Sequence, residues 1–523
     1  MSINIEKWDV EDKDFWEKEG KKVANKNLWI SIPALLLAFS VWLMWGMLIV
    51  QMKKMGFTLG MNPQTPEDWA NVNSLLWTLP AIAGLAGATL RIPNGFLIGI
   101  GGGRNVIFLT TSLLLIPAFG AGWAMGNPDT SYITLAILAA TSGFGGGNFS
   151  SSMSNISYFF PKRVQGTSLG LNAGLGNLGV STMQFLIPMV LASGVFSAGM
   201  MMPNSEKIVY LQDAAWVWVP LIMVVAIAAF FGMNNLKSAT PNLGNYAGEF
   251  GKTILLLIFG VAAAGLGAFM LISLKINMWI VLPVVVVVTL VLMKFLSPGE
   301  LKGNLDKQFD IFGNKHTWIM TIIYTMTFGS FIGYAASFPK LIQDIFGGEI
   351  NPFAYAFLGP LVGALIRPVG GWLADKVGSG ARVTTWSTIL QIVAALAVAY
   401  FVVRAREVAA IEGAAAAAAQ YWWPFFWGFM ALFAGTGIGN GSTFRSIPYI
   451  FNKVQAGPVL GWTAAIAAYG AFIMPKLFGQ QIKAGHAEYA IYGFVAYYVL
   501  CLILNFIYYD RKGAGWADKG GQP

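Results

Sequence analysis

Two arginines, Arg91 and Arg367, are the residues of this sequence with the clearest potential for chemistry. Each lies in an apolar segment, eight residues before Gly99 and Asp375 respectively. If these segments are membrane helices that end there, a rise of ~1.5 Å per residue places each guanidinium about 12 Å deep in a hydrocarbon core about 30 Å thick. An arginine at that depth costs at least about 2.5 kcal/mol, and it keeps its charge because its pKa lies above about 12.

Both arginines suit the recognition of an anion. No carboxylate lies in the middle of any apolar segment, and Asp375 lies at the very edge of its own. A guanidinium offers a planar fork of donors that binds oxyanions in a bidentate manner. We therefore predict that Arg91 and Arg367 bind an anionic substrate. The alternative is a structural role, in which they reach towards the membrane surface or bind backbone carbonyl groups.

Three aromatic residues extend this prediction. Tyr324 and Phe328 are four residues apart and therefore share one face of a helix, and Phe149 lies in a segment that is otherwise rich in glycine and serine. Aromatic faces enclose a flat ion better than a tetrahedral phosphate. Taken alone, such residues usually pack in a core, but beside the two arginines they favour a planar anion as the substrate.

A run of glycines between residues 170 and 179 contains the spacing G-x-G-x-x-G of a dinucleotide-binding loop. We reject that function because the run begins a membrane helix and follows no strand. Glycines three and four residues apart let membrane helices approach closely and slide, so we predict a gating role for the glycines of this run. They are Gly170, Gly174, Gly176 and Gly179. Two asparagines in the same run, Asn172 and Asn177, are candidates to donate an amide hydrogen bond to an oxyanion.

The composition shows that lipid must solvate most of the elements that position these residues. Of the 523 residues 56% are hydrophobic and only 11% are charged, against about 25% in soluble proteins, and the mean hydropathy is +0.61. These values exclude a soluble enzyme, a disordered scaffold and a secreted disulfide-rich module. A single cysteine, Cys501, permits no internal disulfide, and two histidines offer no metal cluster, so we expect no metal and no cofactor.

The apolar segments predict an all-α membrane protein with about fourteen transmembrane helices, since each segment is long enough, at about 20 residues, to cross a bilayer. Two extra segments, near 253–273 and 277–296, lie between two sets of six. The first set lies near 28–50, 74–99, 105–124, 131–160, 166–194 and 214–232, and the second near 317–338, 352–374, 383–403, 421–451, 458–480 and 487–508. The predicted domains are an N-terminal segment (1–27), an N-terminal six-helix half (28–232), a linker that holds the extra helices (233–316), a C-terminal six-helix half (317–508) and a tail (509–523).

Membrane orientation explains most of the net charge of +9. Most lysines and arginines outside the spans fall on one side if the N-terminus is cytoplasmic and the spans alternate, which predicts that both termini are cytoplasmic. The charge therefore indicates no nucleic-acid partner. Residues 1–27 are too highly charged for a cleaved signal peptide, and Trp8, Phe15 and Trp16 predict an amphipathic segment at the membrane interface.

An internal repeat relates the two sets of six helices. The pattern G-A-x-x-R-x-x-x-G-(aromatic)-L occurs at residues 87–97 and again at 363–373, with Arg91 and Arg367 in equivalent positions. A second pair of stretches, beginning V-Q at 164 and 454, agrees with it. Related six-helix halves are typical of secondary transporters, whose substrate site is expected between the halves near the membrane midplane.

The loop after the second span of the C-terminal half resembles a signature of the major facilitator superfamily, G-x-x-x-D-(basic)-x-G followed by arginine. It occupies residues 371–382, with Asp375 as the acid and Arg382 as the arginine. The resemblance implies the fold of that superfamily and a gating role for Asp375 and Arg382, in which Asp375 latches one conformation by pairing with helix ends. The N-terminal copy, residues 95–104, has Gly99 where the acid would be, which leaves a latch in that half in doubt.

Further stretches resemble the nitrate/nitrite porter (NarK-type) family of that superfamily. They are 144–179, which begins F-G-G-G-N-F-S-S-S, 327–333 (T-F-G-S-F-I-G) and 439–444 (G-N-G-S-T-F). Residues 465–476, which include Gly470, are similar to a second family signature. The resemblance covers nearly the whole chain except about 235–300, the region of the extra helices.

This resemblance implies a transporter of nitrate and nitrite in the bacterial inner membrane, used in nitrate assimilation and functional as a monomer. The residues that it implies for substrate binding are Arg91, Arg367, Phe149, Tyr324, Phe328 and Asn177. It also adds Gly470 to the glycines with a predicted gating role.

Two mechanisms are open for such a transporter. A carrier with permanent cations but no embedded acid or histidine should reorient readily only when an anion is bound, which favours nitrate/nitrite antiport. The family also contains proton-coupled members, so nitrate/proton symport is the alternative. A sugar or drug symporter would be expected to carry an embedded acid, a membrane enzyme would need a cofactor site, and a channel would show no trans-stimulation.

Overall fold

A computed structural model describes residues 4–514 of the chain except 204, 242, 347–348 and 413–414. Most of the described chain is helical. Its strands are β1 (Asn4–Ile5), β2 (Met200–Met201), β3 (Ile208–Val209) and β4 (Asn235–Leu236). Strand β1 pairs with β4 in parallel, and β2 pairs with β3 in an antiparallel manner. The ends of the predicted N-terminal segment and C-terminal tail, 1–3 and 515–523, lie outside the described residues.

The helices before residue 310 are α1 (Lys13–Phe15), α2 (Lys21–Leu43), α3 (Trp45–Lys54), α4 (Pro66–Asn94), α5 (Ile98–Gly101), α6 (Gly103–Leu113), α7 (Leu115–Ala124), α8 (Tyr132–Thr141), α9 (Gly143–Phe159), α10 (Gln165–Val190), α11 (Asp213–Trp216), α12 (Trp218–Gly232), α13 (Tyr246–Ile272), α14 (Met278–Leu296) and α15 (Gly299–Phe309). Those after it are α16 (Lys315–Tyr324), α17 (Ser330–Ile345), α18 (Pro352–Tyr355), α19 (Leu358–Val377), α20 (Gly380–Glu412), α21 (Ala415–Ala418), α22 (Trp422–Ile450), α23 (Lys453–Ala468), α24 (Gly470–Lys483) and α25 (Ala487–Asn505).

All fourteen predicted spans fall on helices. By length and composition, nine helices among the described residues could cross a membrane. They are Lys13–Lys54, Gly103–Ala124, Asp213–Gly232, Tyr246–Ile272, Met278–Leu296, Lys315–Pro339, Gly380–Ile411, Val454–Ile482 and Ala487–Asp510. The other predicted spans carry more glycine and polar residues, which lowers their mean hydropathy.

The helices pack as two compact units. One unit comprises Met1–Phe159 with Thr182–Asp310, and the other comprises Phe160–Ser181 with Ile311–Pro523. Most of α10 therefore packs with helices of the C-terminal half, although the repeat in the sequence assigns it to the N-terminal half.

In the first unit, α4 and α9 cross in backbone contact. A Cβ atom added to Gly146 would lie 2.5 Å from the Cα atom of Gly87, and one added to Gly143 would lie 2.7 Å from the carbonyl carbon of Ala86. Small residues at a crossing allow membrane helices to approach this closely. Because Gly87 lies one turn before Arg91, the crossing brings α9 beside the arginine.

The two extra helices also pack in the first unit, where α13 lies against α4. A Cβ atom added to Gly260 would lie 2.8 Å from a methyl group of Leu90, and one added to Gly267 would lie 3.2 Å from a methyl group of Leu85. The extra pair therefore lies directly behind the turn of α4 that carries Arg91.

The described part of the N-terminal segment is held against the same unit. Strand β1 pairs with β4 of the linker. The indole Nε1 of Trp8 donates a 3.0 Å hydrogen bond to the carbonyl oxygen of Tyr158, and its ring packs on that of Phe159 at 5.6 Å. Trp16 is buried as well. Trp8 thus packs on the end of α9.

Candidate functional site

The Arg91 site lies in the first unit and is built from α2, α4 and α9. The side chain of Arg91 is buried, and its Nε donates a 2.7 Å hydrogen bond to the carbonyl oxygen of Gly146. Its Cζ lies 4.7 Å from the ring centroid of Phe149, 5.1 Å from that of Trp42 and 5.7 Å from that of Phe39. Aromatic faces at such distances stabilise the charge of a guanidinium through cation–π interactions.

Neighbouring contacts fix the rings of this site. The indole Nε1 of Trp42 donates a 2.7 Å hydrogen bond to the carbonyl oxygen of Ala83, and the rings of Phe39 and Phe149 meet edge to face at 5.8 Å. Arg91 and Phe149 are therefore brought together, while Trp42 and Phe39 were missed in the sequence. Their spacing of three residues on one helix was the available signal.

The Arg367 site lies in the second unit and is built from α16, α19 and α22. Arg367 is buried, and its Nη2 donates a 2.8 Å hydrogen bond to the hydroxyl oxygen of Tyr324. Its Cζ lies 5.3 Å from the ring centroid of Phe444 and 5.7 Å from that of Phe328. The ring of Tyr324 stacks on that of Phe444 at 4.1 Å and lies parallel to that of Phe328 at 5.6 Å. Parallel aromatic faces beside a guanidinium suit a flat ligand.

A π-helical turn, Thr325–Gly329, follows Tyr324 and contains Phe328. The two rings are nevertheless parallel within 2°. Single π-helical turns inside α-helices occur frequently at functional sites. The sequence had indicated these two aromatic residues but not Phe444, for which the only signal was its place in the family-like stretch 439–444.

The predicted asparagines, Asn172 and Asn177, are both buried in α10. A Cβ atom added to Gly174 would lie 2.7 Å from the carbonyl oxygen of Ala364 in α19, and the hydroxyl of Ser181 donates to the residue that precedes α19. Asn177 lies between these two contacts and so on the face of α10 that α19 covers. Within the described chain, neither amide atom of Asn177 has a hydrogen-bond partner. The predicted gating glycines Gly170, Gly176 and Gly179 are buried in the same helix.

Asp375, at the end of α19, caps the start of α10. Its carboxylate accepts hydrogen bonds from the backbone N–H of Gly166 at 3.2 Å and from the N–H and hydroxyl of Thr167, both at 2.8 Å. The Nε of Arg445 lies 3.4 Å from the same carboxylate. A carboxylate at this position stabilises a helix because it accepts from the unbonded N–H groups of the first turn.

The other two predicted gating residues lie elsewhere in the second unit. The Nε of Arg382 lies 3.6 Å from a carboxylate oxygen of Asp510, so Arg382 forms an ion pair with a residue near the C-terminal end of the described chain. Gly470 begins α24, and a Cβ atom added to it would lie 2.6 Å from the Cα atom of Gly329. Gly470 therefore packs on the end of the π-helical turn that carries Phe328.

In the N-terminal copy of the loop, polar side chains of the linker replace the missing acid. The amide Nδ2 of Asn304 in α15 donates a 2.9 Å hydrogen bond to the carbonyl oxygen of Gly99, and Nε2 of Gln308 donates a 3.1 Å bond to that of Phe96. A Cβ atom added to Gly99 would lie 3.1 Å from Gln308. A larger residue at 99 would thus disturb the contact between loop and linker.

Two buried charged residues of the predicted spans, Arg445 and Glu488, were not identified from the sequence. Arg445 lies inside the predicted span 421–451 and is 3% exposed. Glu488 lies in the first turn of α25 and accepts from Nη1 of Arg406 at 2.5 Å, with Nδ1 of His486 at 3.2 Å. The signal in each case was a charged residue within a segment otherwise assigned to lipid.

Comparison with curated proteins gives relatives that match over nearly their full length. The chain is 36% identical over 523 residues to the probable nitrate/nitrite antiporter NarK2 of Thermus thermophilus, covering 98% of this chain and 97% of that protein. It is 32% identical over 531 residues to the nitrate/nitrite transporter NarU of Salmonella typhimurium, covering 97% and 96%. It is 32% identical over 530 residues to the nitrate/nitrite transporter NarU of Escherichia coli, again covering 97% and 96%. No protein-family model matches the chain.

Solved structures with a similar fold are transporters of the major facilitator superfamily. The proton:xylose symporter XylE superimposes with a TM-score of 0.60 at 14% identity, covering 92% of this chain and 95% of that chain. The human organic anion transporter MFSD10 superimposes with a TM-score of 0.54 at 15% identity, covering 93% and 99%. At these identities the likeness shows the fold alone, and it confirms the fold class predicted from the sequence. With relatives above 30% identity over nearly their whole length, the chain belongs to the nitrate/nitrite porter (NarK-type) family, whose members are multi-pass membrane transporters and not enzymes.

Proposed function

We propose that this protein exchanges nitrate for nitrite across the bacterial inner membrane by alternating access of its two halves. It works as a monomer with both termini in the cytoplasm. The observation that carries the proposal is a buried arginine among aromatic rings at the same position of both repeats, Arg91 and Arg367. The names of the relatives, a nitrate/nitrite antiporter and two nitrate/nitrite transporters, support this choice of substrates.

Each arginine supplies charge and geometry for a small planar anion. Nitrate and nitrite present their oxygen atoms in one plane, which matches the fork of a guanidinium. Burial among aromatic rings strengthens charge-assisted hydrogen bonds because it removes competing water. In this proposal Phe149 encloses the anion beside Arg91, and Tyr324 and Phe328 enclose it beside Arg367. Asn177 supplies an amide donor.

Exchange is favoured over proton coupling by the engagement of the buried carboxylates. Proton coupling needs an acid or histidine that can take up and release a proton during transport. Four such carboxylates already have partners in the described chain. Asp375 caps α10, and Asp213 accepts hydrogen bonds from the backbone N–H groups of Val195 and Phe196. Glu249 forms an ion pair with Lys252, and Glu488 forms one with Arg406. A buried guanidinium is costly to move without a bound anion, so the loaded carrier reorients more readily than the empty one.

The contact between α10 and α19 is the gate in this proposal. The bonds that Asp375 makes to Gly166 and Thr167 hold the two helices together at one end. The close approach at Gly174 and Gly170 lets α10 shift along α19 with little change in packing. Release of the Asp375 bonds then accompanies the change of access.

Counterflow in proteoliposomes tests the exchange. Vesicles loaded with nitrite or nitrate should take up labelled nitrate rapidly. Vesicles that contain neither nitrite nor nitrate should take it up slowly, with or without a pH gradient. Protein-free vesicles are the control. Rapid uptake driven by a pH gradient into vesicles without internal nitrate or nitrite would establish nitrate/proton symport instead. Rapid uptake that depends on neither internal anion nor pH gradient would indicate a channel.

A further inference from the structure

Asn440 of α22 is a buried polar residue that the two arginine sites do not explain. Its side chain is 0% exposed, and among the described residues neither its Nδ2 nor its Oδ1 has a hydrogen-bond partner. Buried amides in folded proteins are nearly always hydrogen-bonded, because leaving them without a partner forfeits the bonds they made to water. The position of Asn440 therefore points to a partner that binds there during function.

Asn440 shares a helix face with an aromatic residue of the Arg367 site. Phe444 follows it by four residues, which places the two side chains one above the other on α22. The ring of Phe444 lies 5.3 Å from the Cζ of Arg367 and stacks on Tyr324 at 4.1 Å. The face that carries Asn440 is thus the face that carries the site.

The glycines on either side of Asn440 fix the direction in which its side chain points. A Cβ atom added to Gly439 would lie 2.6 Å from Cγ2 of Thr327, in the π-helical turn. One added to Gly441 would lie 2.5 Å from the backbone nitrogen of Gly371, in α19. Successive residues of a helix point about 100° apart, so Asn440 points between these two contacts. Asn440 therefore points into the space between α19, which carries Arg367, and the π-helical turn that contains Phe328.

We propose that Nδ2 of Asn440 donates a hydrogen bond to the anion held by Arg367, as a specificity-determining residue that rests on the proposed function. A neutral donor fixes the orientation of an oxyanion without adding a further positive charge. This matters for a carrier, since its substrate must also be released. Asn440 and Asn177 then supply one amide each, from helices α22 and α10.

The substitution Asn440→Ala in the full-length protein tests the proposal in proteoliposomes. One readout is the nitrate concentration for half-maximal counterflow, and the other is the midpoint of thermal unfolding. We expect the half-maximal concentration to rise about tenfold, as for the loss of a hydrogen bond to a charged ligand. The midpoint should stay the same or rise, because alanine removes an amide that the folded protein leaves without a partner. Asn440→Asp, which replaces the donor with a negative charge, should raise the half-maximal concentration further.

Asn505→Ala is the matched control, since Asn505 is a buried asparagine with protein partners. Its Nδ2 donates to the carbonyl oxygen of Ala381 at 2.8 Å and to the hydroxyl of Thr385 at 3.0 Å. The control should lower the unfolding midpoint and leave the half-maximal concentration unchanged. The opposite responses of the two variants separate a bond to the anion from a bond that supports the fold.

Two results overturn the proposal, and they are distinguishable. If Arg367→Lys weakens nitrate counterflow but Asn440→Ala leaves the half-maximal concentration unchanged, the proposed function stands and the role of Asn440 is wrong. A fall in the unfolding midpoint of Asn440→Ala without a change in that concentration leads to the same conclusion. If the unmodified protein shows no nitrate counterflow, the proposed function fails and the role of Asn440 fails with it.

Discussion

Arg91 and Arg367 are fixed by chemically different partners. The Nε of Arg91 donates to the carbonyl oxygen of Gly146, whereas Nη2 of Arg367 donates to the hydroxyl of Tyr324. A carbonyl oxygen only accepts, but a hydroxyl that accepts from an arginine keeps its own proton to donate. Tyr324 is therefore able to hold the arginine and bind an anion at the same time, and the two repeats are expected to contribute unequally to binding.

This difference predicts the effect of Tyr324→Phe. Loss of the hydroxyl should raise the nitrate concentration for half-maximal counterflow about tenfold, because one bond to the arginine and one to the anion disappear together. Tyr334→Phe is the control, since the hydroxyl of Tyr334 is buried and bonds that of Tyr498 at 2.8 Å. It should change stability without changing the half-maximal concentration. Equal effects of the two substitutions would remove the Tyr324 hydroxyl from the site.

The substitution Arg91→Lys tests whether anion binding needs the planar geometry of the guanidinium as well as its charge. Lysine keeps the cation but not the planar fork, and it lacks the Nε that binds Gly146. Nitrate counterflow at low nitrate concentration should fall at least about tenfold. Arg404→Lys, in an exposed pair with Glu407, should leave counterflow unchanged. Unaltered counterflow by Arg91→Lys would show that Arg91 has only a structural role.

At the scale of the helices, the crossing of α4 and α9 positions the Arg91 site. Gly146 both touches the backbone of Gly87 and presents the carbonyl oxygen that Arg91 binds. A side chain at 146 would therefore separate the helices and displace the acceptor of the arginine together. Packing and binding geometry are coupled in this one residue.

Gly146→Ala tests this coupling. The added methyl group has no room, so we expect a loss of about 1–3 kcal/mol in the free energy of unfolding together with reduced nitrate affinity. Gly84→Ala in α4 is the control, because a Cβ atom there would meet no described atom within 4 Å. The control should be neutral or gain about 0.5–1 kcal/mol, since alanine favours a helix. If Gly146→Ala matched this control, the close crossing would be excluded.

The contact between α19 and α10 is a second arrangement that depends on one residue. Asp375→Asn removes the negative charge beside Arg445 and from the first turn of α10. We expect a loss of about 2 kcal/mol or more in the free energy of unfolding in detergent, and slower counterflow at saturating nitrate. Glu407→Gln, which affects only an exposed pair, should lose less than about 1 kcal/mol. If Asp375→Asn were as stable and as fast as that control, Asp375 would have no latching role.

At the scale of the whole molecule, the extra helices and α15 of the linker pack in the first unit, with helices of the N-terminal half. The extra helix α13 packs on α4 behind Arg91, and α15 binds the loop that follows α4 through Asn304 and Gln308. An even number of extra spans keeps the predicted orientation of both halves. The linker thus occupies the place where the N-terminal copy of the loop lacks the acid that Asp375 supplies in the C-terminal copy.

Predicted orientation can be tested with single cysteines, since the only native cysteine, Cys501, is buried. In a Cys501→Ser background, Glu206→Cys on a loop predicted outside should react with a membrane-impermeant thiol reagent in intact cells. Glu300→Cys on the cytoplasmic side should react only after the cells are permeabilised. Both residues are exposed, so burial does not limit the reaction. The reverse pattern would show that the orientation is inverted.

The sequence alone determined the properties that follow from local composition and spacing. Lipid requires long apolar helices, so helices could be located at all fourteen predicted spans from apolar segments alone. The fold class followed from the repeat together with the resemblance of residues 371–382 to a superfamily signature. The equivalence of Arg91 and Arg367 was visible because it rests on a short pattern that recurs in each half. Tyr324 and Phe328 could be paired because four residues on one helix are neighbours.

Only the tertiary structure decided which residues of distant helices meet. Phe149 lies 58 residues from Arg91 along the chain, and Phe444 lies 77 from Arg367, so no local pattern relates them. Each of these contacts depends on which helices pack together, and helices pack most closely where glycines allow their backbones to touch. For the same reason the partner of Asp375 could not be read from its loop, since Arg445 reaches it from another helix. The spans can be read from local sequence because the lipid bilayer requires the same apolar composition of every span. The sites instead depend on contacts between segments far apart in sequence.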